Sequence, residues 1–335
     1  MENKKIAVTL VVLIAAAGLI FLAAQEWPSD AVPSKAVPQK EKITVAYLPV
    51  MQSLPLFVAQ ERGMFAEEGL DVELVRIESP NQIIDALMSG KVDAAAPSAA
   101  AGISAIAEAK NPGSLKIYAL ICGDLEHLND ELLVAKSSSI EKIAGLRGKK
   151  IGIIPGVQFS TMAKKIMLEN GVSPSEITLV ELPVPNQLPA LASGSVDAVL
   201  TLEPLSTLGS RKNISRLLVA NPMVKFVSDP WCGAAGVVTA KFIAERPQDA
   251  KAFARVMARA MNVTESDPSA RSYLVSYLAL PQSVADDVPM PLMFAQEQVA
   301  PGVEQAYQRF ADTFVELNVT QDRPNVSRLL DWKAK

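Results

Sequence analysis

PNQIIDALMSGKVDA at residues 80–94 and PNQLPALASGSVDA at residues 185–198 are two variants of one segment. Each opens on Pro-Asn-Gln (Pro80-Asn81-Gln82 and Pro185-Asn186-Gln187), passes through Ala-Leu and closes on Ser-Gly-x-Val-Asp-Ala. Upstream of each lies a short apolar run, ITVAY at 43–47 and IGII at 151–154, of strand length. The same order at nearly the same offset is too consistent for coincidence, so the chain carries a duplicated unit.

Outward from that segment, each unit reads strand, helix, strand, helix, strand. Helices are expected over 56–62 and 162–170, with Gly63 and Gly171 at the C′ position, where only glycine takes the left-handed conformation cheaply. Second strands follow over 70–75 and 177–182. The Asn-Gln segment then opens a helix that ends at Ser-Gly, and Val-Asp-Ala begins the closing strand. Between the units, 117–121 and 132–135 read as strands and 144–148 as a turn; after them, 233–239 is another strand. From Pro247, a good first helical residue, the chain turns helical, with Phe253, Val256, Met257 and Ala260 on one face. Further helices fit 271–280 and 303–317, and this C-terminal stretch is expected to cover the first unit.

Strands alternating with helices define an α/β fold of mainly parallel sheets flanked by helices. In such sheets ligands sit beyond the carboxyl ends of the strands, where helix N-termini also point. That rule selects the loops 48–55, 97–102, 122–124, 155–161 and 201–204.

Composition limits the function. The 335 residues are 49% hydrophobic and 20% charged, enough for sizeable cores in two lobes. A net charge of −4 argues against binding to a nucleic-acid backbone, which needs a basic stripe. Two cysteines and one histidine exclude a Cys/His zinc cluster, and neither a cofactor nor a metal is expected. Cys122 and Cys232 read first as two unpaired buried thiols, with a bridge as the alternative that would tie two segments of one lobe together.

At the amino terminus, Lys4 and Lys5 precede an uncharged run, IAVTLVVLIAAAGLIFLAA, and Glu26 and Asp30 follow it. Positive charge on one side places the remainder outside the cytoplasm. Residues 1–24 are thus a signal peptide or an uncleaved membrane anchor. The anchor is slightly favoured, because the run is near spanning length and lacks small residues at a cleavage position. Residues 25–41, with Pro28, Pro33 and Pro38, form a Pro-rich linker.

Several motifs then resemble a known family: Ala59-Gln60-Glu61-Arg62-Gly63-Met64-Phe65, Glu68-Gly69-Leu70-Asp71-Val72-Glu73, both Ser-Gly-x-Val-Asp-Ala units and Glu203-Pro204. Residues 43–331 resemble the extracytoplasmic substrate-binding proteins of ABC importers, in the nitrate/sulfonate/taurine and thiamine-precursor (SsuA/THI5-like, NMT1-like) group. The resemblance implies a two-lobed, hinged, type II periplasmic-binding-protein fold. Lobe 1 would comprise 42–135 and 233–335, lobe 2 would comprise 136–232, and the hinge would lie near 136–138 and 228–231. It also implies a monomer whose partners are a small solute and an ABC permease and ATPase complex in the inner membrane, with no nucleic acid.

The selected loops contain no Lys or Arg. Their candidate ligand contacts are Gln52, Ser53, Ser98, Gln158, Ser160 and Thr161, with Asp124 and Glu203 as acids and Trp231 as a stacking surface for a planar solute. Backbone N–H groups at helix starts, with hydroxyls, can hold an anion without a formal positive charge. Glu203 would instead favour an amine or an aminopyrimidine edge, so the solute stays open between the two. The hydroxyls read equally as helix N-caps, Glu203-Pro204 as a turn and Trp231 as packing. Asp93 and Asp197 start strands in both units and read as a repeated structural hydrogen bond. His127, in a polar loop, reads as locally capped, and no catalytic residue is expected. The function that follows is capture of a sulfonate-, nitrate-, taurine- or thiamine-pyrimidine-like solute in a cleft between the lobes. The alternatives are an enzyme on the same scaffold, of the thiamine-pyrimidine or menaquinone-pathway type, and a membrane-tethered solute sensor.

Overall fold

The computed structural model describes residues 41–332. The expected signal or anchor, residues 1–24, and nearly all of the 25–41 linker lie outside the described residues. In the described body no helix is long and apolar enough to cross a membrane.

The first unit runs β1 (Ile43–Tyr47), α1 (Leu54–Glu61), β2 (Val72–Arg76), α2 (Pro80–Met88), β3 (Ala94–Ala100), α3 (Ala101–Lys110) and β4 (Leu115–Gly123). The chain then crosses to β5 (Asp130–Ala135) and the second unit, β6 (Lys150–Ile153), α4 (Val157–Glu169), β7 (Thr178–Glu181), α5 (Val184–Ala192), β8 (Ala198–Leu202), α6 (Leu205–Arg211) and β9 (Ser215–Ala220). It returns through β10 (Trp231–Thr239), the long α7 (Pro247–Ser266), β11 (Leu292–Ala295) and α8 (Pro301–Glu316); shorter helical turns connect these elements.

Two sheets result, ordered β11-β4-β10-β3-β1-β2 and β7-β6-β8-β5-β9. In each unit the three repeated strands are parallel, as the alternation of strand and helix requires. Both sheets are nonetheless mixed, because β10 and β5, the strands next to the crossings, run antiparallel to their neighbours. The repeat extends to detail. Asp93 accepts from the Thr44 N–H at 2.9 Å and Asp197 from the Lys150 N–H at 2.9 Å, so each aspartate ties the closing strand of its unit to the opening one. Gly63 and Gly171 have φ of 67° and 70°, the left-handed conformation that ends a helix.

Three readings need correction. Residues 132–135, expected in lobe 1, belong to the second sheet, where β5 lies between β8 and β9. The strand is apolar on either assignment, and only the distant partner decides. The first crossing therefore falls at 124–129 rather than 136–138. Likewise Trp231 and Cys232, expected at the end of lobe 2, are the first residues of β10 in the first sheet. Finally, Cys122 and Cys232 are bridged, with Cα atoms 4.0 Å apart on neighbouring strands β4 and β10, and both are fully buried.

The apolar interior follows the sheets. One cluster covers the outer face of the first sheet and includes Phe57, Phe65, Phe253, Val256, Met257 and Ala260, so the predicted stripe of α7 is buried as expected. A second cluster runs continuously through both lobes, from Ala95 and Leu120 to Leu132, Ile151 and Phe310. A small third one, Leu133, Leu191, Val196 and Val199, backs the second sheet.

Candidate functional site

The carboxyl end of β3 leads into α3 and that of β6 into α4, and the two helix starts meet. Gln158, second residue of α4, reaches from lobe 2 into lobe 1: its Oε1 accepts the Gly102 N–H at 2.8 Å and its Nε2 donates to the Gly233 carbonyl at 2.8 Å. Gly102 is the second residue of α3, so its N–H has no acceptor within the helix. A Cβ there would lie 2.6 Å from Phe314, so glycine lets α8 pack against this helix start. The Met51 N–H also bonds the Glu203 carbonyl across the lobes at 3.1 Å. At the rim, Arg211 pairs with Asp287, and Lys165 lies 3.3 Å from Glu316.

Around Gln158 lies a small interlobe cavity of about 10 Å³, room for one water. Its wall is Leu48, Gln52, Pro80, Ser98, Ala100, Asn129, Phe159, Leu202, Trp231, Gly233 and Ala234 with Gln158 itself. None of these side chains is charged. Of the residues expected from sequence, Gln52, Ser98, Gln158 and Trp231 are brought together here. Ser53 adjoins them, donating to the Leu48 carbonyl at 2.6 Å and lying in hydroxyl–hydroxyl contact with Ser98 at 2.7 Å. It is bound into the loop and does not cap α1.

The remaining candidates are directed elsewhere. The Ser160 and Thr161 hydroxyls donate to the Val157 carbonyl of their own helix at 3.1 and 2.6 Å. Asp124 accepts from the Glu126 and His127 N–H groups and from His127 Nδ1 at 2.9 Å, which makes it a loop clasp and gives His127 its expected local partner. The Glu203 carboxylate turns into the first turn of α6, accepting the Thr207 N–H at 3.2 Å and its hydroxyl at 3.0 Å. Only its backbone carbonyl reaches across the cleft.

Behind Glu203 stands a buried acid that the sequence reading passed over. Glu131 on β5 is fully buried and neither of its oxygens has a partner among the described residues. Burial first, and then the nearby Glu203 and Asp130, raise its pKa well above the ordinary carboxyl range. Burial raises Glu203 as well, and pushes Asp130 to about 7 although Asp130 accepts the Met223 N–H.

Asn129 is the main cavity residue missed. It lies in the crossing loop, five residues past the segment selected at the end of β4. Its backbone N–H is held by Asn221 Oδ1 at 2.9 Å, and its side chain accepts from Gln52 Nε2 at 2.7 Å. A larger recess, about 420 Å³, opens on lobe 1 beside Tyr118 and Trp332; its Arg255 and Arg259 are already paired with Glu67 and Glu68.

Two mixed α/β sheets, joined by two crossings and meeting at the carboxyl ends of their strands, define the periplasmic-binding-protein architecture. The chain belongs to the NMT1/THI5-like family, whose model matches residues 50–271. A putative aliphatic sulfonates-binding protein of Bacillus subtilis is 26% identical over 218 residues, 63% of each chain. A 4-amino-5-hydroxymethyl-2-methylpyrimidine phosphate synthase of Schizosaccharomyces pombe is 25% identical over 230 residues, 64% of this chain and 62% of that one. The chain thus spans less than two thirds of the length of these relatives. Among solved structures, the alkanesulfonate-binding protein SsuA from Xanthomonas axonopodis pv. citri, bound to MOPS, superposes with a TM-score of 0.71. The match is 20% identical and covers 86% of this chain and 97% of that one. The nitrate-binding protein NrtA of Synechocystis PCC 6803 gives 0.67 at 12% identity, over 87% and 85%. These matches bear on the fold.

Proposed function

We propose that the protein is the solute-binding component of an ABC importer, working outside the cytoplasm with residues 1–24 as export segment or anchor. In this reading a small organic solute binds between the lobes, favours their closure by touching both, and is handed as the closed complex to a permease and ATPase. The observation that carries it is the cleft between the lobes at the strand ends, closed down to a one-water cavity and walled from both sides by uncharged polar and apolar side chains, which would hold a solute when the lobes part. The hinge would be the crossings 124–129 and 227–230. The names of the relatives support sulfonate-, nitrate- or pyrimidine-type solutes as the starting panel.

The synthases among the relatives raise turnover as the competing reading. The disposition of the reactive groups favours binding: the two cysteines are joined to each other, and His127 is engaged by Asp124 outside the cavity wall. Mass spectrometry of solute released from the freshly purified full chain tests the proposal, together with scattering before and after its return. A recovered solute, bound unchanged and accompanied by compaction, is expected; its conversion at enzymatic rates would overturn the importer reading.

A further inference from the structure

We propose that Gln158 is a built-in occupant of the solute site. Its side-chain amide sits where the solute's own edge belongs, and the site therefore selects neutral solutes that carry a hydrogen-bond acceptor beside an N–H donor. The inference rests on the solute-binding reading and names the chemistry it selects.

The geometry is that of a ligand. A primary amide 2% exposed, carried by one lobe, makes its two bonds to backbone groups of the other. One is an N–H in the first turn of a ten-residue helix, with no acceptor in its own helix, the other a strand carbonyl. That pair of a donor and an acceptor, side by side, reads a carbonyl and an N–H together. A sulfonate or nitrate offers acceptors only. It would satisfy Gly102 but set its lone pairs against those of the Gly233 carbonyl.

Three other polar atoms in the same wall point the same way. Gln52 Oε1, Asn129 Nδ2 and Trp231 Nε1 are buried and have no partner among the described residues. Buried groups left so are costly, and native structures rarely keep them without a ligand or water to meet them. Whichever way the bonded Gln52 and Asn129 amides are turned, the pair leaves one donor and one acceptor free. The wall thus asks again for a solute of mixed donor and acceptor character, with its apolar part against Phe159, Leu202 and the Trp231 indole. Carboxamides, ureas and amino-substituted nitrogen heterocycles fit; bare anions do not.

Gln158→Ala in the full chain tests this with three probes of similar size: acetamide, which reproduces the atoms the substitution removes, acetate and methanesulfonate. Calorimetry is expected to show acetamide binding to the variant at least tenfold more tightly than to the wild type, and at least tenfold more tightly than either anion. Equal binding by wild type and variant, or preference of the variant for an anion, would overturn the proposal. Gln158→Met keeps the volume and loses both bonds, so without probe it should show a larger radius of gyration than the wild type; an unchanged radius overturns the bridging role. Recovery of a native solute from the wild type is scored separately, so importer function and amide selection can fail independently.

Discussion

Lobe 1 and lobe 2 share a plan and differ in what they bury. Both place a repeated parallel trio beside an antiparallel crossing strand and then a fifth strand, β2-β1-β3-β10-β4 against β7-β6-β8-β5-β9. Both fasten the trio with an aspartate, Asp93 or Asp197. Yet lobe 1 adds β11, α7 and α8 and an aromatic-rich core with one buried carboxylate, Glu108, whereas lobe 2 buries three, Asp130, Glu131 and Glu203, together with Gln187 and Thr201. Part of the difference comes from one missing residue. Measured back from Ser-Gly, Gln187 stands at the position of Ile83, because the second copy is one residue shorter between Gln and Ala-Leu. Both positions are fully buried, so an apolar seat in lobe 1 holds an amide in lobe 2, and its Oε1 has no partner among the described residues. Repeated letters are therefore not repeated places: α2 and α5 keep their register from the C-terminal Ser-Gly, while Pro-Asn-Gln slips.

The largest expected effect separates the lobes through the disulfide, which joins β4 to β10 in the first sheet and closes a 110-residue loop that contains the whole of the second. Replacing Cys122 and Cys232 by serine should lower stability by about 4 kcal/mol. Hydrogen exchange should show that loss in β4 and β10 and leave β6–β8 protected; uniform loss would mean the lobes unfold as one unit.

Next comes pH. Carboxyls whose folded pKa is raised are neutral in the folded chain where the unfolded chain has already ionised. The stability they contribute is whole below about pH 4 and is lost as pH rises toward about 7, the value for Asp130, at about 1.4 kcal/mol per pH unit per group. Lobe 2 should accordingly become less stable from pH 4 to 7, the reverse of ordinary acid unfolding, while in lobe 1 the raised Glu265 is opposed by Asp267 and Asp312, which Arg62 and Arg323 hold low. Glu131→Gln should flatten that slope and make the protein more stable than the wild type at pH 8. Denaturant titrations across pH measure both, and an unchanged slope would deny Glu131 its part.

The smallest effect tests the shared feature itself. Asp93→Ala should cost about 2 kcal/mol, since Asp93 accepts from both the N–H and the hydroxyl of Thr44 in a half-buried setting. Asp197→Ala should cost about 1 kcal/mol, because its single N–H partner and the Lys149 ion pair are solvent-exposed. Equal costs would mean that the two clasps are energetically one device.

Much of this plan is legible in the residues. The duplicated segment, the strand lengths, Gly63 and Gly171, Pro247 and the face of α7 all follow from local pattern, because period and turn chemistry are local properties. Sheet membership of β5 and the Cys122–Cys232 pairing are not, because each depends on a partner far along the chain. At the candidate site, the helix-start rule selected Gln158, which the structure places across the lobes on the Gly102 N–H, a backbone group that must be met from outside its helix. The same rule overreached at Ser160 and Thr161, whose hydroxyls bond back to Val157. It overreached again at Glu203, whose carboxylate answers the first-turn N–H of Thr207. Asn129 escaped because its place is set by Asn221, 92 residues away.

The position of β10 also has a consequence for the order of assembly. It occupies the middle of the first sheet, between β3 and β4, yet it emerges from the ribosome only after the whole of β5–β9. The second sheet is contiguous in the chain and can be completed during synthesis; the first must hold an unfilled central slot, with two strand edges unpaired, for about a hundred residues more. A nascent chain stalled before Trp231 would therefore carry one finished lobe and one open one, and the open one is where a chaperone would find its grip.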